Sequence, residues 1–151
     1  MLKGKPSSYF RAMTVHILKL SVGSASIETL AAWQARRLAQ LGKLFHRTRH
    51  APRRAEEVLD GGSIYWVIQH FVIVRQRIIG IERAEDPDGQ RCCHLMLDPE
   101  LVRTRPQPRR PHQGWRYLDP TDAPPDAGTV TGLEEEPPPA MAAELRSLGL
   151  I

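Results

Sequence analysis

The stretch IYWVIQHFVIVRQRIIGI, residues 64–81, decides the fold. It is dense in β-branched and aromatic residues, which suit a pleated, half-buried surface. Gln69, His70, Arg75, Gln76 and Arg77 interrupt it, whereas a membrane span needs about 20 mostly apolar residues. It therefore reads as strand, Ile64 to Ile68 and Phe71 to Ile81, forming a hairpin or one long bent strand around Gln69-His70. In an unbroken strand the odd positions share a face. That face would read Phe71, Ile73, Arg75, Arg77, Ile79, Ile81, with two guanidinium groups in the middle of an apolar row. The other face, Val72, Val74, Gln76, Ile78 and Gly80, carries one polar group. Burying an unpaired guanidinium is costly. Arg75 and Arg77 are thus expected to pair with Glu56, Glu57, Glu82 or Asp98, to snorkel to an edge, or to line a cleft for phosphate or carboxylate, which the arginine fork matches bidentately.

Outward from this stretch, residues 14–22 (TVHILKLSV) read as a strand. Ser24 or Ser26 can cap a following helix whose apolar positions Ile27, Leu30, Ala31, Leu38 and Leu41 recur at helical spacing, with Gly42 as its stop. Gln34 interrupts that stripe, and Arg36 and Arg37 lie off it. Residues 45–50 alternate as a short strand, and Pro52 opens a short helix through Val58 and Leu59. Asp86-Pro87-Asp88-Gly89 is a turn, because proline presets φ and glycine accepts a positive one. Arg91 to Leu97 returns as a strand. Prolines at 99, 106, 108 and 111 then imply an extended arm, and Gly114 to Leu118 a last edge strand.

The expected fold class is α+β: a mixed or bent antiparallel sheet with one long packed helix, a proline-rich arm and a short C-terminal helix. A small barrel of the PUA or ASCH type is an analogue of its shape. The expected organisation is a disordered extension over 1–12, with Met13 a candidate start, then a single domain over 13–120. An acidic proline-rich linker over 121–138 and a short helix over 139–151, where Met141, Leu145 and Leu148 share a face, complete it.

Of the 151 residues, 21 are Lys or Arg and 17 are Asp or Glu. The charge is unevenly placed, since residues 119–151 hold one basic and seven acidic side chains. A basic body with an acidic tail points to an anionic partner and to a tail that competes for the same surface. The two cysteines, Cys92 and Cys93, are adjacent, point to opposite sides of a strand and cannot readily bridge, which fits a cytoplasmic protein.

Little in the sequence carries familiar chemistry. Gly62-Ser63 precedes a strand and not a helix, and no histidine follows His112, so a serine-hydrolase elbow is excluded. His46 and His50 share a strand face and Cys92, Cys93 and His94 are contiguous, but spaced zinc ligands are missing. There is no phosphate-binding glycine motif, and no cofactor or metal is implied.

The segments MTVHILKL, RAEEVLDGGSIYWVI and LDPELVRTRPQPRRPHQGWRYL together resemble a family of uncharacterised alphaproteobacterial proteins classed as a domain of unknown function, over nearly all of residues 13–150. Some members carry a lysophospholipase label, which the missing serine motif does not support. The family pattern has Lys-Gly where this chain has Gln69-His70, and Phe where it has His112.

Two readings of function follow. In the first, Arg75, Arg77, Arg109, Arg110 and Arg116 hold phosphates while Gln113, Trp115 and Tyr117 contact bases, giving a module for RNA or single-stranded nucleic acid. In the second, clustered arginines bind a small phosphorylated or carboxylated metabolite, in an enzyme or sensor, beside an acid or histidine such as Glu57, Asp60 or His70. In either case the arm is expected to fold back, so that Arg116 converges with Arg75 or Arg77. No membrane partner is expected.

Overall fold

The computed structural model describes residues 14–129. The extension over 1–12, the C-terminal helix over 139–151 and the second half of the linker, 130–138, lie outside them. Strand β1 (His16–Leu20) leads through Ser26 into helix α1 (Ile27–Leu41). The Ser26 hydroxyl accepts from the Thr29 amide, and Gly42, at φ 73°, closes the helix with its N–H on the Leu38 carbonyl. Strand β2 (Phe45–Thr48), the short helix α2 (Ala55–Leu59), β3 (Ser63–Ile68), β4 (Phe71–Glu85) and β5 (Arg91–Leu97) follow. The chain then adds β6 (Val102–Pro108), β7 (Trp115–Leu118), a 3₁₀ turn (Pro120–Asp122) and β8 (Asp126–Thr129).

The eight strands form one mixed sheet in the order β2-β5-β4-β3-β1-β7, with β6 beside β4 and β8 beside β6. Only β1 and β3 run parallel; the other pairs are antiparallel. The sheet curls into a half-barrel around α1, giving the α+β architecture expected. Ile64 to Ile81 forms a tight hairpin, with Ile68 opposite Phe71. Gln69 (φ 51°) and His70 (φ 73°) are both left-handed, the pair a two-residue turn demands.

The proline-rich arm is a strand of the sheet. Its prolines coincide with breaks in the β4–β6 ladder, where Phe71 faces Pro108 and the register shifts between Val72 and Val74. The described start of the acidic segment is likewise built in, as the 3₁₀ turn and β8.

The main core lies between the sheet and α1 and gathers Val15, Ile17, Ile27, Leu30, Ile64, Trp66, Phe71, Ile73, Val74 and Ile78. The two polar residues that broke apolar rows in the sequence meet inside it. Gln34 and Gln76 exchange hydrogen bonds of 2.9 and 2.7 Å, and Gln76 also accepts from Trp66 Nε1 and donates to the Asp98 carbonyl. Gln76, fully buried, thus has both polar atoms doubly satisfied, which removes the cost of burying it. Gly62 is required where α2 meets β1, because a Cβ there would overlap the carbonyl oxygens of Val58 and Val15. A smaller cluster, Leu18, Tyr65, Val67, Val72 and Leu118, covers the opposite sheet face beneath Ala123.

Candidate anion pocket

An irregularity in β4 decides where its arginines point. Trp66 pairs with Val74 and Val67 with Val72, so Ile73 is an extra residue, and both Ile73 and Val74 turn into the main core. The alternation is thereby reset. Arg75 and Arg77 do not share a face with Ile73; they stand on the outer face of the sheet, while Gln76 and Ile78 face the core.

Register sets Leu18, Tyr65 and Arg75 in one row across β1, β3 and β4, and Ser63 opposite Arg77, with His16 held beside Ser63 by a hydrogen bond. His16, Ser63, Tyr65, Arg75 and Arg77 line an open pocket of about 430 Å³, roofed by Pro120 and Ala123 to Asp126. Arg75 is already committed there. Its Nε and Nη2 donate to the two carboxylate oxygens of Asp126, each at 2.7 Å, and Nη1 donates to Ser63 Oγ at 3.0 Å. The guanidinium pulls the Asp126 carboxyl below its ordinary pKa, and the carboxylate raises that of Arg75. Arg77 is exposed and has no carboxylate partner among the described residues.

The Ser63 amide donates to His16 Nδ1 at 3.0 Å, leaving the proton of the neutral ring on Nε2. Burial, and then the charge of Arg75, hold His16 below its usual pKa. Tyr65 meets that ring edge-on, centroids 4.9 Å apart, and burial raises its phenol pKa. The pocket therefore offers the Arg77 guanidinium beside neutral imidazole, phenol and hydroxyl groups. It can hold an anion; its residues bring no metal or nucleophile pattern, and among the described residues no cluster of three or more His, Cys, Asp or Glu gathers.

Of the residues singled out in the sequence, only Arg75 and Arg77 reach this pocket. Arg116 lies in the row of Arg75, with Leu18 and Tyr65 between them, which puts it roughly 14 Å away at ordinary strand spacing. It does not converge with them. Arg109 is at the other end of β4, where its amide donates to the His70 carbonyl. Arg110, Gln113 and Arg116 are exposed, but Trp115 and Tyr117 are half-buried against the main core and against each other, with centroids 5.0 Å apart. The Tyr117 hydroxyl accepts from the Arg54 amide. Neither ring stands free as a stacking platform. Glu57 pairs with Arg54, and Glu57, Asp60 and His70 do not line the pocket. Sequence reasoning missed His16, Ser63, Tyr65 and Asp126, whose only signal is strand register.

A curled mixed sheet wrapped on one helix, with an arginine-lined pocket on its outer face, defines a domain of the α+β class. The chain belongs to the family described as Protein of unknown function (DUF1489), which it matches over residues 17–151. Comparison with curated proteins gives no match, and comparison with solved structures gives none either. No helix among the described residues is long and apolar enough to cross a membrane.

Proposed function

We propose that the protein binds a small phosphorylated or carboxylated metabolite in the pocket of His16, Ser63, Tyr65 and Arg77. The observation that carries this reading is the contrast between two neighbouring arginines. Arg75 is neutralised by Asp126, whereas Arg77 lines the same pocket with no carboxylate partner among the described residues. Two guanidinium groups on one strand face, with one carboxylate between them, leave a net positive charge for an anion to neutralise. The concave shape and half-buried aromatics favour a small ligand over a nucleic acid strand, which needs exposed rings along a groove.

The test is thermal unfolding with inorganic phosphate, succinate, a mononucleotide and a short RNA at matched ionic strength. A ligand at ten times its Kd adds about 1.4 kcal/mol, or roughly 3–6 °C for a domain of this size. Arg77→Gln should abolish that gain while leaving unliganded stability nearly unchanged, and Arg116→Gln should retain it. Equal shifts in wild type and Arg77→Gln would sink the reading. A gain from RNA alone that Arg116→Gln removes would transfer function to the strand β7 surface.

A further inference from the structure

A second cavity lies on the other face of the sheet, at the mouth of the half-barrel, and goes beyond the pocket discussed above. It is a cleft of about 330 Å³ between the end of β1, the first turns of α1, and the facing strands β2 and β3. Leu30, Trp33 and Trp66 give it apolar walls, while Lys19, Arg36 and His46 supply nitrogen groups beside the hydroxyls of Ser21, Ser24 and Thr29. Among the described residues no aspartate or glutamate lines it. Barrel mouths and apolar clefts with a few convergent polar groups are common ligand sites.

Two of these polar groups bear on what the cleft can hold. Lys19 pairs in register with Trp66, so its stem starts on the helix side of the sheet. Its Nζ donates to the Leu20 carbonyl at 3.1 Å, no carboxylate among the described residues lines the cleft beside it, and burial pushes its pKa down. The ring of His46 stands edge-on to Trp66, centroids 5.2 Å apart. Its Nε2 is shut off from water with no hydrogen-bond partner. A buried polar atom left unmatched costs stability and calls for an explanation such as a bound molecule.

We propose that this cleft is a binding site for a small monoanion with a flat apolar body, such as an aromatic carboxylate. The carboxylate would lie on the Lys19 ammonium with Arg36 nearby, and the ring against Trp33 and Trp66. A partly buried ammonium between indole walls suits a negative charge carried on an apolar frame better than a phosphate dianion, whose hydration the apolar walls would strip without return.

Calorimetric titration of the full chain with 2-naphthoate and its neutral isostere 2-naphthamide tests this. The expected result is saturable 1:1 binding of naphthoate, at least about tenfold tighter than naphthamide, the size of one charge-assisted hydrogen bond. Lys19→Met should erase that preference, Trp33→Ala should weaken binding of both compounds, and Arg77→Gln should change neither. Should Lys19→Met fail to fold, Trp33→Ala decides, since Trp33 is 42% exposed and its truncation leaves the core intact. Equal affinity for the two compounds, no saturable binding, or naphthoate binding unaltered by Trp33→Ala would overturn the proposal. Loss of naphthoate binding in Arg77→Gln would also overturn it, because the ligand would then sit on the outer face.

Discussion

His46 shows how a single side chain ties burial to pH. Burial, assisted by the charge of Lys19, holds its pKa at about 4, against an ordinary histidine value of about 6.5. The unfolded chain therefore takes up this proton first as pH falls. The stability it confers is complete above about pH 6.5 and is lost as pH drops towards 4, by up to roughly 3 kcal/mol in all. Urea midpoints measured from pH 7 to pH 4 should fall in the wild type and fall less in His46→Phe. Identical slopes in the two proteins would contradict the assignment. Part of the slope will survive in the variant, because His16, His94 and His112 are shifted in the same direction by burial. At this scale the sequence was legible for Arg75 and Arg77 as residues that needed a partner. The partner itself, Asp126, was not, because it lies 51 residues further on in a stretch whose composition reads as linker. Nor do His16 and Ser63 announce themselves; only the pairing of β1 with β3 sets them beside the arginines.

At the level of the element, the β3–β4 hairpin runs on unfavourable turn residues. Gln69 and His70 both occupy the left-handed region, where a residue with a Cβ is strained by about 1 kcal/mol or more. Their side chains offer little in return, as Gln69 makes one hydrogen bond, to the Ala25 carbonyl, and His70 is exposed. Replacing His70 with glycine should raise stability by about 0.5–1 kcal/mol, the relieved strain less the entropy of a more flexible unfolded chain. Chemical denaturation would report this as a higher midpoint at unchanged slope, and a lower midpoint would refute it. The hairpin itself was plain in the sequence, from its two apolar runs around a polar pair. The faces of β4 were not, because strict alternation assumes an unbroken ladder. On β4 itself the register shifts at Val72/Val74 and Ile78/Gly80 carry no residue signature apart from the glycine.

Taken as a whole, the molecule is organised around β4, whose first half pairs with β3 and β6 and whose second half pairs with β5. The curl of the sheet follows from this one bent strand, which belongs to both ends. The strands farthest from it, β2, β7 and β8, are edges of four residues each. Amide exchange should therefore be slowest across Ile64 to Ile68 and Phe71 to Ile78, and fastest among strands in β2 and β8. Protection of β8 equal to that of β3 would argue against this ranking. The elements up to residue 97 could be read from periodicity and turn residues. Of those after it, the edge strand at Trp115–Leu118 was also legible, but β6 and β8 were not, because proline and acidic composition argue locally against strands that the sheet nevertheless recruits.

The Arg75–Asp126 clasp also has a meaning in time. A ribosome adding about 5–20 residues per second needs roughly 3–10 s to travel the 51 residues from one partner to the other. For that interval neither Arg75 nor Arg77 has the Asp126 carboxylate beside it, whereas among the described residues the finished pocket leaves only Arg77 without one. A growing chain is thus a stronger magnet for anions than the mature molecule, and its own last described strand brings that phase to a close.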